Sequence, residues 1–198
     1  MKYKKITQLF WLLFASTSVG TAVADTPSAS MLANTCAGCH GTNGSSVGPA
    51  SPTIAGISKD YFIESMKAYQ AGDRPSTIMT RIAKGYTEEE IKLMADYFSK
   101  QPFVRQKQKF DSAKASTGQK LHKKYCEKCH EDGGRSAKDD AGILAGQWEP
   151  FLRYTLEDFT SGNREMEKKM KKKMDELQKA HGDKGLDELV NYYASQSK

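Results

Sequence analysis

Apolar positions recur every three to four residues through most of the chain and nowhere alternate for long. That period belongs to amphipathic helices, so the predicted fold is all-α. Phe62, Met66 and Tyr69 run i, i+4, i+7, with Ser58 and Asp60 as candidate caps ahead and Gly72 just behind. Pro150 opens an equivalent helix that Gly162 ends. Thr87, with Glu90 three residues on, reads as a capping box before Ile91, Met94, Ala95 and Phe98, and the helix should stop before Pro102. Leu186, Leu189, Val190 and Tyr193 mark a last helix of the same kind.

These helices come in two sets. At an offset of 90 residues, Met31 falls on Leu121, and Ile54-Ala55-Gly56 on Leu144-Ala145-Gly146. Phe62, Met66 and Tyr69 fall on Leu152, Leu156 and Phe159, and Gly72-Asp73-Arg74 on Gly162-Asn163-Arg164. Agreement in both residue class and spacing means a duplicated unit. The offset reaches 95 at the last helix, where Ile91 meets Leu186. Residues 25–101 form the first predicted domain and 118–198 the second, joined by a polar, lysine-rich linker over 102–117 with Pro102 near its start. Each unit holds roughly 80 residues, which is small for an apolar core built from side chains alone.

Chemistry enters at Cys36-Ala37-Gly38-Cys39-His40 and at Cys126-Glu127-Lys128-Cys129-His130, which use every cysteine of the chain. Cys-x-x-Cys-His is the attachment pattern of c-type haem. Two thiols one turn apart can add to the two vinyl groups of one porphyrin, while the adjacent imidazole reaches the iron. Zinc ribbons want their cysteine pairs closer together, and thiol oxidoreductases need no histidine after each pair. Two covalently bound haem c groups are therefore expected, and a buried haem would complete each small core. Without haem neither half should fold well.

The first residues fit export. Lys2, Lys4 and Lys5 precede an apolar stretch from Ile6 to Val19, and Ala22-Val23-Ala24 forms a cleavage site, so residues 1–24 read as a signal peptide leading to a periplasm-like space. An uncleaved anchor is the alternative, although the stretch is shorter than the roughly 20 residues that span a bilayer. No later apolar run reaches spanning length, so no membrane span is expected in the mature chain. The net charge of +6 falls to +3 once the three lysines of the leader are set aside, and haem propionates would lower it further. Bulk charge thus favours neither nucleic acid nor anionic membrane. Lys168, Lys169, Lys171, Lys172 and Lys173 cluster among Glu165, Glu167, Asp175 and Glu176, as either a solvated helix face or a docking patch for an acidic partner.

His40 and His130 are the expected proximal iron ligands. Met79 is the candidate opposite His40, since it follows the Gly72-x-Arg74 landmark and precedes Ile82, Ala83 and Tyr86. Opposite His130 the chain offers Met166, Met170 and Met174. Met170 fits the drift of the repeat offset best, at 91, against 87 for Met166 and 95 for Met174. Thioether ligation favours ferrous iron, which suits an electron carrier. Pro49 stands where a class I cytochrome bends its chain to offer a carbonyl to the proximal imidazole, whereas the second unit has Lys138-Asp139 there, so its surroundings should differ. Trp148, Tyr61 and Tyr154 are read as haem-pocket packing, and His122 and His181 as solvated.

Over essentially its whole mature length the chain resembles the dihaem cytochrome subunit of flavocytochrome c sulfide dehydrogenase, within the cytochrome c4-like group. The resemblance rests on Asn34-Thr35-Cys36-Ala37-Gly38-Cys39-His40-Gly41, Ser76-Thr77-Ile78-Met79, Ile82-Ala83-Lys84-Gly85-Tyr86, Tyr125-Cys126-Glu127-Lys128-Cys129-His130, Leu144-Ala145-Gly146-Gln147-Trp148 and Met166-Glu167-Lys168-Lys169-Met170. The second motif departs from ordinary dihaem c4 by continuing Glu131-Asp132-Gly133-Gly134, as does the lysine-rich methionine segment. The resemblance implies two tandem class I cytochrome c domains without catalytic residues of their own. It also implies a partner flavoprotein containing FAD that oxidises sulfide, and a soluble acceptor such as a small cytochrome c. The absence of a dinucleotide-type glycine fingerprint agrees with that division of labour. The alternatives are a free carrier feeding a terminal oxidase and a haem enzyme with an open iron position, against which methionine on both irons argues.

Overall fold

The computed structural model describes residues 27–138 and 141–197; residues 1–24, read as a leader, lie outside them. Among the described residues there are helices and no strands, and no helix is long and apolar enough to cross a membrane. The first unit comprises α1 (Ala29–Asn34), α2 (Ala37–His40), α3 (Lys59–Ala71), α4 (Met79–Ile82) and α5 (Glu88–Ser99). The second comprises α6 (Ser112–Tyr125), α7 (Glu131–Gly134), α8 (Glu149–Thr160) and α9 (Lys168–Ser195).

The caps explain most boundaries. The Ser58 hydroxyl accepts the Tyr61 N–H at 3.0 Å to start α3, and Gly72 closes it in the left-handed conformation. Thr87 and Glu90 form the reciprocal capping box of α5, whose Ile91, Met94, Ala95 and Phe98 are all buried. Two expectations shift. Asp111 accepts the N–H groups of Ala113 and Lys114, so α6 begins at Ser112, inside the stretch expected to be linker. The methionine segment and the last helix also form one element, α9, bent at Gly182 (φ 59°). Residues 168–181 are strong helix formers, and Lys171–Asp175 and Lys173–Glu176 pair one turn apart along them.

Each unit has its own core. One gathers Leu32, Phe62, Met66, Ile91, Met94 and Phe98; the other Leu121, Leu152, Leu177, Leu189, Val190 and Tyr193. The repeat shows in the hydrogen bonds. Ile54 and Ala55 both donate to the Gly44 carbonyl, and Leu144 and Ala145 both donate to that of Gly134. Gly56 then donates to Phe98 and Gly146 to Tyr193. In the second unit α6 and α9 cross so closely that a Cβ on Gly118 would lie 2.0 Å from the Glu188 carbonyl oxygen.

The units touch through polar groups. Buried Gln147 accepts the Thr53 N–H at 2.9 Å and donates to the Thr53 carbonyl at 3.0 Å. The Trp148 indole donates to Ser46 O at 3.2 Å, and its ring lies where a side chain on Gly48 would stand. Trp148 therefore packs at the interface between the units, and Tyr154 is exposed. Ile143 joins the first unit's core from the second unit's chain.

Candidate haem sites

In each unit the Cys-x-x-Cys-His segment follows a helix packed against the unit's last helix, α1 on α5 and α6 on α9. All four cysteines are free thiols, Cys36 and Cys126 half-buried, Cys39 and Cys129 exposed. Burial raises the Cys36 thiol above its ordinary range and pushes Cys126 up to about 11. No group of three or more His, Cys, Asp or Glu side chains among the described residues is arranged to hold a metal ion. The two motifs therefore do not join into a zinc site.

The imidazoles are fixed alike. His40 donates its Nδ1 proton to the Pro52 carbonyl at 2.8 Å, and His130 donates its own to Gly142 O at 3.2 Å. Pro52 and Gly142 are 90 residues apart, so the repeat extends to this contact. The acceptor is thus the Pro52 carbonyl, three residues past Pro49, and the difference expected from Lys138-Asp139 does not extend to it. Burial lowers the basicity of both rings, against the opposing pull of those carbonyls, and keeps them neutral. Neither Nε2 has a hydrogen-bond partner among the described residues, which leaves it available to iron.

Of the methionines, Met79 opens α4 and packs on the first core, half-buried. Met166 and Met170 are also half-buried, at and just before the start of α9, where the Met170 N–H donates to the Glu167 carboxylate at 3.2 Å. Met174, one turn on, is buried at 7% exposure.

A second cluster lies between the units. Arg74 is 6% exposed, donates to Ser65 Oγ at 2.7 Å, and holds its guanidinium carbon 4.9 Å from the Tyr69 ring centre and 6.0 Å from that of Tyr61. Arg164, its partner in the repeat, covers Phe159 at 4.4 Å and reaches Tyr61 as well. Burial alone would raise the Tyr61 pKa, but the two guanidiniums outweigh it and the phenol is lowered. Neither arginine has a salt bridge among the described residues. Arg74 is buried and Arg164 half-buried, with Asp158 the carboxylate that acts on Arg74, and two cations so placed favour further carboxylates beside them. Haem propionates supply that chemistry, and with the free thiols and free Nε2 atoms the residues fit the group that the motifs imply.

His122 corrects the sequence reading most sharply. It is 1% exposed, with Nδ1 at 2.9 Å from the Tyr193 hydroxyl and Nε2 at 2.5 Å from Glu127 Oε2. Burial holds its pKa below 6.5 against the opposing pull of Glu127. The signal was the helical period, because His122 lies four residues after Gly118 and next to Leu121, on the face that α6 buries. His181 is exposed, as expected, with Tyr125 edge-on at 5.9 Å.

Comparison with known proteins places both units. Residues 28–101 match the family described as Cytochrome c, and residues 113–192 that described as Cytochrome C oxidase, cbb3-type, subunit III. The cytochrome subunit of sulfide dehydrogenase from Chlorobaculum tepidum is 48% identical over 68 residues, which cover 34% of this chain and 61% of that subunit. Cytochrome c-554(548) of Halomonas halodenitrificans is 40% identical over 70 residues, covering 34% of this chain and 84% of that cytochrome. The crystal structure of reduced recombinant cytochrome c4 from Pseudomonas stutzeri superposes with a TM-score of 0.70 at 25% identity, covering 86% of this chain and 100% of that one.

Proposed function

The chain belongs to the cytochrome c family as a c4-like dihaem cytochrome, and from that premise we propose that it is the periplasmic electron-transfer subunit of a sulfide dehydrogenase. It would receive electrons from the flavin of a partner flavoprotein and release them to a soluble acceptor such as a small cytochrome c. The supporting observation is the 48% identity over 68 residues with a sulfide dehydrogenase cytochrome subunit.

Two haem c groups are its cofactors, Cys36 and Cys39 holding one and Cys126 and Cys129 the other. When bound, each supplies an iron that cycles between ferric and ferrous states and so stores one electron. His40 and His130 would ligate through Nε2, held in that tautomer by Pro52 and Gly142. Met79 would also hold the first iron and Met170 the second, with Met166 as the competing choice for the second. Arg74 and Arg164 would neutralise the propionates, and the Tyr61 hydroxyl lies between those two cations.

A lasting partner would be held by a large, dry interface instead of a brief encounter. Purification from a gentle low-salt lysate should bring down a flavoprotein that high salt does not remove, and sulfide should reduce the haems of the complex. A flavin-free monomer, with no sulfide-dependent reduction after recombining the fractions, would leave the free-carrier reading in its place. That alternative draws on the near-complete coverage of cytochrome c4.

A further inference from the structure

The departure at Glu131-Asp132-Gly133-Gly134 folds around one carboxylate. Asp132 and Gly133 both take the left-handed conformation, at φ 53° and 64°, and the Gly133 N–H donates to Glu127 Oε2 at 3.3 Å. A side chain on Gly133 would meet the Tyr192 hydroxyl at 2.7 Å. From the other side buried His122 reaches the same oxygen through Nε2 at 2.5 Å. A carboxylate only accepts, so Nε2 carries the proton of the ring. Burial keeps that ring neutral, which leaves Nδ1 an acceptor, and the Tyr193 hydroxyl therefore donates to it at 2.9 Å. Every donor of the chain points toward Glu127. The Tyr193 hydroxyl also reaches Cys126 Sγ, so the network starts at a sulfur that would carry the second haem.

Stability is a poor reason for this arrangement. Leu32, Ala37 and Phe98 stand at the matching places of the first unit and have no polar side-chain group to satisfy. A buried polar network at best breaks even with such packing. What the chain of hydrogen bonds provides is a negative charge at a fixed place. Glu127 directly follows Cys126 and stands three residues before His130. Its partner His122 is neutral, and no lysine or arginine forms a salt bridge with it among the described residues. Asp132 and Arg135, which act on Tyr192 together with Glu127, carry opposite charges.

We propose that Glu127 tunes the second haem: its carboxylate, held by Gly133 and by a His122 that Tyr193 fixes, favours ferric iron and lowers the potential of that site. The inference rests on the dihaem carrier reading and adds a residue that sets one of the two potentials. Ferric iron carries one positive charge more than ferrous iron, so a fixed anion close by stabilises the oxidised state. Ala37 offers no such charge, and the effect falls on the second iron alone.

The test is an optical redox titration of the haem-loaded protein, in which each iron takes up one electron. Glu127→Gln keeps an oxygen for the His122 and Gly133 N–H groups and loses only the charge. One of the two steps should move up by a threefold to tenfold change in its equilibrium constant, about 30 to 60 mV. The carboxylate is 40% exposed, so salt screening should keep the shift within that range. The other step should stay where it is. Asp132→Asn removes an exposed carboxylate from the same loop, keeps a residue that tolerates φ 53°, and should move the step less than half as far. The triple variant His122→Leu, Glu127→Ala, Tyr193→Phe gives the second unit the residues of the first; it should raise the same step at least as far, and it carries the test if Glu127→Gln misfolds. No shift, a downward shift, equal movement of both steps, or an equal shift from Asp132→Asn would overturn the tuning role. A parent protein that takes up fewer than two electrons would bring down the carrier reading itself, whereas two electrons with potentials that Glu127→Gln leaves unchanged would bring down the role of Glu127 alone.

Discussion

One scaffold holds two different interiors. In the first unit, Leu32 and Phe98 belong to a hydrocarbon core; at the matching places the second unit has His122 and Tyr193, joined by hydrogen bonds to each other and to Glu127, which stands where the first motif has Ala37. The helices and the imidazole anchors barely register the change, since a backbone carbonyl orients the proximal histidine in both units. Scaffold and interior are thus separable. Packing positions can be exchanged for a polar network provided every buried group finds a partner, and no buried side-chain nitrogen or oxygen among the described residues lacks one. The exchange makes the second unit sensitive to pH and to single deletions in a way the first is not.

The largest effect should come from the apolar interior. Phe98 is 1% exposed, packed on Phe62 with ring centres 5.6 Å apart, and Phe98→Ala should cost about 3–5 kcal/mol. Thermal unfolding followed separately at each haem should show the first unit melting early. Simultaneous loss of both transitions would mean that the interface makes them one cooperative body. A smaller loss, about 1–3 kcal/mol, is expected for Glu127→Ala, which strips both His122 and the Gly133 N–H of their acceptor. Here the second unit should melt first, and an unchanged profile would show that water replaces the carboxylate.

Smaller still is the response to acid. His122 has a folded-state pKa below 6.5, so the unfolded chain binds more protons than the folded one as pH falls through that value. The second unit should keep its full stability above pH 6.5 and lose at most about 1.4 kcal/mol per pH unit below it, down to the folded-state pKa. His122→Leu should reduce that slope to the part that His130 contributes. The first unit has His40 alone, whose basicity burial also lowers, so its slope over the same window should be the shallower of the two.

Much of this contrast was visible in the sequence. The repeat, the caps at Ser58 and Thr87 and the two attachment motifs are local patterns, and each stands where the pattern put it. What escaped was set by tertiary contact. A carbonyl acceptor has no side-chain signature, so the bend at Pro49 points to the neighbourhood without singling out Pro52, and nothing in the sequence marks Gly142. His122 was judged by its lysine neighbours at 120, 123 and 124, although its helical phase with Gly118 and Leu121 points inward. The Asp111 cap was a readable signal passed over inside a polar stretch. Trp148 was assigned to a pocket because aromatic residues fill pockets, but only the pairing of the two units shows the ring against Gly48.

We propose that both units, despite their different interiors, present the same pair of iron ligands, His40 with Met79 and His130 with Met170. The most direct measurement is the weak far-red sulfur-to-iron band of the fully oxidised protein, recorded for the parent, for Met170→Ala and for Met166→Ala. The parent should show an intensity for two methionine-ligated irons, Met170→Ala half of it with one haem turned high-spin, and Met166→Ala the full value. A parent band worth one iron, or a band halved by Met166→Ala and untouched by Met170→Ala, would contradict the assignment.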